Sequence, residues 1–380
     1  MAGDLVIRNA RMVLPGEVVE GSIAVADGII SGIDTGAGGR AGIDFGGDYL
    51  LPGLVELHTD QLEGHYRPRP GVYWDPLLAL QAHDTQVAGS GITTVFDALR
   101  IGSDVEMPGM ADHVDVLLGA VTTAQGDGRL RADHKVHLRC ELPAHDVVEH
   151  FERFCDLPIV RLASVMDHTP GQRQYQTIEK FREYYIKRMH FSDAEMDAFI
   201  ADRHHEQQKY ADKHRKAILE RGKAAGIAFA SHDDATLAHV EESVADGVSI
   251  AEFPTTQLAA EASHKAGLAV LMGAPNVVRG KSHSGNISAT DLARENLLDV
   301  LSSDYVPFAL LQAAFTLPQR IDGLGLADTV AMVSRNPARA AGLDDRGEIA
   351  VGKRADLVRI EVIGGAPVVR GVWREGQRVS

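Results

Sequence analysis

Two residues with metal-binding chemistry, His58 and Asp60, stand two positions apart directly after a largely apolar run at 54–57. On a β-strand, side chains two positions apart point to the same side of the sheet. The imidazole and the carboxylate can therefore converge on one cation. The Pro-Gly pair at 52–53 is typical of a turn. The pattern predicts a chain that turns into a first barrel strand and carries a metal ion at the C-terminal end of that strand.

Residues of the same chemical types recur where later strands are expected to end. One such residue is weak support for a metal site, but recurrence at successive strand ends strengthens the interpretation. Imidazoles and carboxylates without a thiolate suit Zn²⁺, with Mn²⁺ or iron as alternatives. We therefore predict one or two divalent ions with these ligands: His58, Asp60, Glu141, His168, His232 and Asp304.

Two of these residues have more specific expected roles. Glu141 would bridge a pair of ions about 3.5–4 Å apart, an arrangement that lowers the pKa of a bound water to about 7. Asp304 would accept the proton of that water as the catalytic base. Cys140 alternates with Glu141 and shares an apolar strand face with Val136 and Leu138, so it is predicted to be a core residue.

Strand-like segments alternate with helical segments through the middle of the chain, which predicts βα units around a parallel sheet. Eight strands close a (β/α)₈ TIM barrel, an α/β fold whose catalytic residues lie at the C-terminal ends of its strands. The expected strands are residues 55–58, 93–98, 136–141, 159–167, 227–232, 248–253, 268–273 and 300–304.

Both ends of the chain have β character instead. Short β-branched runs broken by Pro-Gly and Asp-Gly pairs predict hairpins in the N-terminal region. Residues 347–360 are interpreted as two short strands with a turn, and residues 367–376 as another pair. We predict a small β-sandwich built from both termini, residues 1–52 and 345–380, with the metal-dependent barrel at 53–344.

One connection, residues 172–226, is too long for a plain βα unit. It is dense in charge and helical in pattern, and Ser192 with Glu195 forms a capping-box signature for a second helix. We interpret most of it as a solvated helical hairpin. Because long insertions in barrels often form lids, Lys180 and Arg182 are candidates to lean over the active site.

Composition excludes several classes of function. The chain has 380 residues and a formal net charge of −15, which argues against nucleic acid as a partner. It has no apolar stretch of the roughly 20 residues that a membrane span needs, and no signal-peptide pattern. Two cysteines cannot make a disulfide framework, so a cytoplasmic location is expected. The sequence leaves the oligomeric state open, a homo-oligomer included.

The chain resembles the amidohydrolase superfamily. The resemblance rests on His58-Thr-Asp60, the strand-end acids and histidines, the segment from Asn336 to Leu343 and the segment from Gly347 to Val358. It implies a metal-bearing (β/α)₈ barrel with a β-sandwich made from both termini. The first-strand motif of that superfamily is usually His-x-His, and here the second position is Asp60.

A narrower resemblance accounts for this departure. The segments 57–71, 91–98, 166–172, 231–236 and 273–286 are similar to one branch of the superfamily, the triphosphate diphosphohydrolases of the carbon–phosphorus lyase pathway. The resemblance implies hydrolysis of α-D-ribose 1-methylphosphonate 5-triphosphate to the 5-phosphate and pyrophosphate. The implied partner is thus a small, strongly anionic phosphorylated sugar.

A net charge of −15 would repel an anionic substrate unless basic residues gather near the active site. Four basic residues lie in two Pro- and Gly-rich loops predicted after the first and seventh strands: Arg67, Arg69, Arg279 and Lys281. Arg offers paired donors to phosphate oxygens, and Lys offers a point charge. The stretch 280–286 adds hydroxyls, an imidazole and flexible backbone N–H groups, which together predict an anion-binding loop. The predicted substrate-binding residues are His65, Arg67, Arg69, Lys180, Arg279, Lys281, Ser282 and His283, and His283 or His65 could also protonate the leaving group.

Two other readings stay open at the level of sequence. The same barrel and the same activated water suit a C–N hydrolase such as a deaminase, a deacetylase or a cyclic amidase. A non-catalytic scaffold in a larger phosphonate-degrading assembly would instead lack metal and expose a large apolar patch. The retained ligand types argue against the scaffold, and the basic loops argue against a small neutral heterocycle.

Overall fold

A computed structural model describes residues 4–36, 41–103, 109–173, 178–189, 191–280, 282 and 286–380. The strands in this part of the chain are β1 Leu5–Leu14, β2 Glu17–Ala26, β3 Ile29–Thr35, β4 Ile43–Asp44, β5 Tyr49–Pro52, β6 Leu54–Thr59, β7 Ile92–Ile101, β8 Asp133–Glu141, β9 Val160–Met166, β10 Ala228–His232, β11 Ile250–Glu252, β12 Ala269–Gly273, β13 Val300–Ser302, β14 Leu357–Ile363, β15 Ala366–Arg374 and β16 Gln377–Arg378.

Helices lie between most of the strands from β6 to β14. They are α1 Gln61–Tyr66, α2 Pro76–Gly89, α3 Val114–Gly126, α4 Val147–Phe154, α5 Ile178–Met189, α6 Asp193–Ala224, α7 Leu237–Ala245, α8 Gln257–Lys265, α9 Ala274–Arg279, α10 Ala289–Arg294, α11 Ala309–Arg320, α12 Leu326–Ala331 and α13 Arg335–Ala340. None of these helices is long and apolar enough to cross a membrane.

The predicted eight-stranded parallel sheet is confirmed, and its strands follow one another in chain order from β6 to β13. All six residues of β6 are buried, as expected for a parallel strand that is covered on both faces. A bridge between Thr59 and Asp304 joins the first strand to the segment after the last one. This is the closure that a barrel requires.

Strands from both termini form a separate sheet, as predicted. Its order is β16-β15-β14-β5-β1-β2-β3, and β4 pairs with β1. Asp27 and Gly28 have φ angles of 50° and 79°, which is the turn geometry expected of an Asp-Gly hairpin between β2 and β3. Its core includes Phe45 and Trp373, whose ring centroids lie 5.7 Å apart.

Two predictions in this region are wrong. Residues 367–376, predicted as a pair of strands, form most of the single strand β15 and the turn that follows it. Between residues 347 and 356 the chain forms turns and one isolated bridge, Ile29 to Arg354, before β14 begins at Leu357. The reason is that Arg354 is drawn into ion pairs, with Asp356 at 3.0 Å and with Asp133 at 3.6 Å. Side-chain ion pairs and turns take the place of strand pairing in this segment.

The helical hairpin predicted within 172–226 is present as α5 and α6. The capping box of α6 is confirmed, because Ser192 Oγ accepts from Glu195 N while Glu195 Oε2 accepts from Ser192 N. A small apolar cluster that includes Phe181 and Met196 packs the two helices together.

The chain separates into two compact units. Unit 1 comprises Met1–Asp97, Gly119–Lys135 and Met272–Ser380, and unit 2 comprises Ala98–Leu118 and Val136–Leu271. The sequence-based division at residues 52 and 344 stays a prediction.

Candidate metal centre

Three side chains converge at the ends of two strands in unit 2. His168 follows β9, His232 ends β10, and Asp233 comes next with a φ angle of 57°. Each offers a ligand atom, and these atoms lie within 4.8 Å of one another. The Oδ2 oxygen of Asp233 is 3.5 Å from His232 Nε2 and 4.0 Å from His168 Nε2. Two imidazole nitrogens and one carboxylate oxygen therefore face a common point.

Carboxylates on neighbouring strands orient both imidazoles. Glu141 Oε2 lies 2.6 Å from His168 Nδ1, and Glu141 Oε1 accepts the backbone N–H of the same residue at 3.1 Å. Glu252 Oε2 lies 2.7 Å from His232 Nδ1. With each Nδ1 bound to a carboxylate, the Nε2 atom of each ring lies toward Asp233 Oδ2. Metal-binding histidines are typically held in this way.

The surroundings of the Asp233 carboxylate indicate that a cation fits this group. Its Oδ2 atom is buried and, among the described residues, has no hydrogen-bond partner. Burial raises the pKa of Asp233 to about 7. A buried carboxylate oxygen without a partner is costly unless a cation or a proton satisfies it. The donor set of two nitrogens and one oxygen, with no thiolate, fits Zn²⁺ or a related divalent ion.

The two histidines of this group differ in their preferred charge. Burial opposes protonation of His168, but the Glu141 carboxylate outweighs it and raises the pKa of His168 to about 9. Burial dominates at His232 and lowers its pKa to about 3 despite the neighbouring Glu252. His232 is therefore a neutral imidazole, the form that binds metals.

A second group of three lies in unit 1. His58 at the end of β6, Asp60 just after it and Asp304 just after β13 offer ligand atoms within 4.8 Å of one another. His58 Nε2 is 3.6 Å from Asp60 Oδ1, and the His58 side chain is 1% exposed while that of Asp60 is 36% exposed. This group brings together three of the six predicted ligands.

Backbone bonds between the first and last strands hold this second group. Asp304 N–H donates to His58 O at 3.0 Å, and Asp60 N–H donates to Asp304 O at 3.2 Å. The Ser302 hydroxyl also donates to His58 O at 2.7 Å. Asp304 adopts a φ angle of 55°, which an Asp tolerates better than most residues.

A buried glutamate braces the same strands. Glu56 is fully buried, and its two oxygens accept the backbone N–H groups of His58 at 2.6 Å and of Ser303 at 2.5 Å. Burial raises the pKa of Glu56 to about 7. The residue positions the backbone that carries His58 and Asp304.

Four of the predicted anion-binding residues, His65, Arg67, Arg69 and Arg279, have described side chains. His65 Nε2 lies 2.9 Å from Gln86 Oε1, and the Arg67 guanidinium lies 5.9 Å from the Tyr73 ring centroid. Arg69 is exposed in a tight turn with Val72. Arg279 is also exposed, but it ends helix α9 and does not lie in a loop as predicted, because Pro275 at the start and Gly280 at the end define one helical turn and a half.

Lys281 and His283 lie outside the described residues, as does the side chain of Lys180. Ser282 is described and half-buried. Arg182, proposed above as a lid residue, donates to Asp197 on the neighbouring helix at 2.9 Å, so its charge is engaged within the hairpin.

Sequence reasoning missed three residues of the site. Asp233, Glu252 and Glu56 occupy strands or strand ends already assigned, next to predicted ligands or on a neighbouring strand. For Glu56 and Glu252, the signal that could have found them is a carboxylate inside an otherwise apolar strand. Such a residue is rarely buried without a partner of its own.

A further buried group in unit 1 has potential ligands but a different character. Asp97 accepts from both imidazoles around it, with His83 Nε2 and His134 Nδ1 each at 2.7 Å. The second nitrogen of His134 lies 3.3 Å from Asp84 Oδ1, and Arg131 donates to Asp84 at 3.1 Å. Two carboxylates, one imidazolium and one guanidinium balance one another here, so we interpret this group as a structural ion network.

The comparisons with known proteins agree with this architecture. A profile of the amidohydrolase family matches residues 49–379. The chain belongs to the amidohydrolase family. The alpha-D-ribose 1-methylphosphonate 5-triphosphate diphosphatase of Escherichia coli (strain K12) is 45% identical over 377 residues, which cover 99% of this chain and 100% of that enzyme.

Solved structures of other proteins share the fold. The dihydropyrimidinase from Brevibacillus agri NCHU1002 matches with a TM-score of 0.64 and 14% identity, covering 99% of this chain and 95% of that one. The N-acetylglucosamine-6-phosphate deacetylase from Pasteurella multocida matches with a TM-score of 0.63 and 15% identity, covering 99% of both chains. At these identities the likeness concerns the fold alone.

Proposed function

We propose that this amidohydrolase hydrolyses α-D-ribose 1-methylphosphonate 5-triphosphate to the 5-phosphate and pyrophosphate, as a step of phosphonate degradation. The observation that carries the proposal is the 45% identity to the E. coli diphosphatase along essentially the whole length of both chains. Fold alone would not distinguish this reaction from C–N bond hydrolysis.

The proposed cofactor is one or two divalent ions, Zn²⁺ in the first place. His168, His232 and Asp233 would hold an ion in unit 2, and His58, Asp60 and Asp304 would hold one in unit 1. Glu141, predicted above to bridge two ions, stays a candidate ligand. A divalent ion supplies Lewis acidity and a water of lowered pKa. Glu141 and Glu252 support the proposal because they fix the tautomers of His168 and His232.

Asp304 is the proposed catalytic base. Its carboxylate would accept a proton from the water that attacks the α-phosphorus, in line with the departing pyrophosphate. Its position supports this role, since two backbone bonds fix Asp304 against β6 while its side chain stays only partly buried. A carboxylate on a fixed backbone that is still accessible to solvent can release its proton to solvent after each turnover.

Basic side chains would neutralise the phosphoryl oxygens, where most of the catalysis of phosphoryl transfer resides. The exposed guanidinium groups of Arg69 and Arg279 and the partly exposed one of Arg67 remain our candidates. Lys180, Lys281, Ser282, His65 and His283 complete the proposed set. His283 would protonate the leaving group where the cations around pyrophosphate do not suffice.

A direct comparison of products tests this proposal. The purified chain, reconstituted with Zn²⁺ or Mn²⁺, is expected to release pyrophosphate from α-D-ribose 1-methylphosphonate 5-triphosphate and no ammonia from a panel of amines and cyclic amides. Asp304→Asn serves as the catalytically impaired control in the same assay. Ammonia release without pyrophosphate release would replace the proposal by a C–N hydrolase.

A further inference from the structure

An arginine outside both ligand groups contacts the strand end that carries one of them. Arg173 lies five residues after His168 in unit 2 and is 6% exposed. It adopts a φ angle of 38°, an unusual conformation for a residue with a side chain. A buried arginine needs several acceptors to offset the loss of its hydration. The identity of those acceptors indicates what the residue does.

The guanidinium of Arg173 bonds to three groups on two elements. Its NH1 donates to the carboxylate of Asp234 and to the backbone carbonyl of His232 at 3.4 Å. Its NH2 donates to Glu242 Oε2 of α7 at 2.9 Å. The segment that follows β9 is thereby tied to the strand end that carries His232 and Asp233.

We propose that Arg173 is a positioning residue for the metal-binding group of His168, His232 and Asp233. This inference rests on the proposed function only in that the group must bind a cation. Arg173 fixes the segment that carries His168 against the segment that carries the other two ligands. Removing it would let the two segments separate, and the three ligand atoms would lose their common point.

The acceptors of Arg173 are themselves held in place. Asp234 is 1% exposed, accepts the Ser243 hydroxyl of α7 at 3.1 Å, and its backbone oxygen accepts Thr255 N–H at 2.9 Å. Because Asp234 is held by these bonds, it can fix the position of the Arg173 guanidinium, which a mobile surface carboxylate could not do alone. Because a guanidinium presents its donors in a fixed fork, it can hold Asp234, Glu242 and the His232 carbonyl at once, which a lysine cannot.

The same network reaches the helical hairpin. Arg215 of α6 lies 3.2 Å from the Glu242 oxygen that Arg173 also binds, and its Nε donates to Asp246 at 2.5 Å. Glu242 thus links Arg173 to Arg215 of helix α6. Its side chain is 45% exposed, so replacing Glu242 carries less risk to folding than replacing the buried Arg173.

The test measures metal affinity separately from turnover. Full-length Arg173→Met and Arg173→Lys chains are titrated with Co²⁺ and Zn²⁺ in competition with a chelator, and the Co²⁺ absorption spectrum is recorded. Loss of a group that orients metal ligands typically weakens binding 10–100-fold. We expect that range for Arg173→Met, a smaller loss for Arg173→Lys, and a changed Co²⁺ spectrum in both.

A matched control removes an arginine that pairs at the surface of the same unit. Arg221 of α6 pairs with Asp156, and its side chain is 35% exposed. Arg221→Met is expected to keep the wild-type metal affinity and spectrum. Guanidinium ion added at low concentration to Arg173→Ala is expected to restore part of the affinity, which a general loss of stability would not allow.

The measured metal affinities decide the inference. A folded Arg173→Met chain with wild-type metal affinity overturns the inference. If that chain does not fold, Glu242→Gln must weaken metal binding several-fold, and unchanged affinity there overturns it equally. A wild-type chain that binds Co²⁺ but releases no pyrophosphate overturns the proposed function alone, because the comparison of affinities still stands.

Discussion

At the scale of single residues, the chain uses carboxylates in two distinct ways. Glu141 and Glu252 bind the Nδ1 atoms of histidines, and Asp233 presents an oxygen to the Nε2 atoms of the same rings. The first arrangement fixes the orientation and tautomer of an imidazole, and the second leaves an oxygen for a cation. Replacing Glu141 or Glu252 should therefore change the orientation of an imidazole, and replacing Asp233 should remove an oxygen that faces the cation.

Glu252→Gln tests the orienting role. The amide keeps the shape of the side chain but loses the charge that raises the basicity of His232, so metal affinity should fall 10–100-fold. Chelator competition measures the change. Glu241→Gln, on the exposed face of α7, is the matched control and should leave affinity unchanged. Equal affinities in both variants would remove Glu252 from the metal site.

Asp304→Asn tests the proposed base. General acid–base groups typically contribute 10²–10⁴-fold, and turnover should fall by that order. The backbone bonds of Asp304 do not involve its side chain, so the melting temperature of the metal-free variant should stay close to that of the metal-free wild type. Pyrophosphate release under single-turnover conditions gives the rate. Near wild-type turnover would remove Asp304 from the mechanism.

The sequence predicted the candidate ligands at strand ends but not their supporting partners. His58, Asp60 and Asp304 come together, and so do His168 and His232, because parallel strands place successive C-terminal ends on one edge. Asp233 escaped notice since an acid after a strand is usually a solvated turn residue. Its burial depends on packing around the strand end, which spacing alone does not specify.

At the scale of elements, the ion network around Asp97 joins helix α2 to strands β7 and β8. His134 is fully buried, and both of its nitrogens face carboxylates. Burial opposes its protonation, but Asp97 and Asp84 outweigh this effect and raise the pKa of His134 to about 9. The pKa of Asp97 is correspondingly held well below its usual range.

This network predicts a pH dependence of stability. The pKa of His134 lies near 6.5 in the unfolded chain and near 9 in the folded one, so its contribution is complete below pH 6.5 and is lost as pH rises through 9. The difference amounts to roughly 3 kcal/mol at most. Urea unfolding of wild type and His134→Gln should be measured between pH 6 and 10. This additional loss of unfolding free energy with rising pH should appear in the wild type only. Parallel pH profiles would contradict the assignment of an imidazolium.

Helix α6 approaches strand β10 closely at a glycine. A Cβ on Gly222 would lie 2.4 Å from Phe229 Cζ and 3.0 Å from Phe151 Cζ, and both rings are buried. Gly222→Ala should therefore lower the free energy of unfolding by about 1–3 kcal/mol. Gly119→Ala is the control, because that helical glycine is exposed with open space around it, and alanine there should raise stability by about 0.5–1 kcal/mol. Chemical denaturation measures both, and stabilisation by Gly222→Ala would contradict the packing described.

Regular elements were more predictable than irregular ones. The eight barrel strands and the capping box at Ser192 follow from local patterns of apolar and capping residues. The strand expected near residue 350 failed because Arg354 is committed to carboxylates far away in the chain, Asp133 among them. Local periodicity carries no information about such long-range ion pairs.

At the scale of the whole molecule, bound cations should contribute to stability as well as to activity. Each of the two groups described above gathers carboxylates and histidines that repel or desolvate one another without an ion. Ligand binding to the folded state stabilises it by about 2.7 kcal/mol at one hundred times the dissociation constant. A chelator-treated chain should melt at lower temperature and recover on addition of Zn²⁺ or Mn²⁺. A melting temperature indifferent to both would contradict the metal site.

The joining of both chain ends in one sheet has a consequence for biosynthesis. Strand β5 pairs with β14, and the residues paired, Pro52 and Leu357, are about 300 positions apart. At translation rates of 5–20 residues per second, the edge of β5 waits roughly 15–60 s on the ribosome for its neighbour. During that interval the nascent chain exposes an unpaired strand edge, the kind of surface on which chaperones act and aggregates begin.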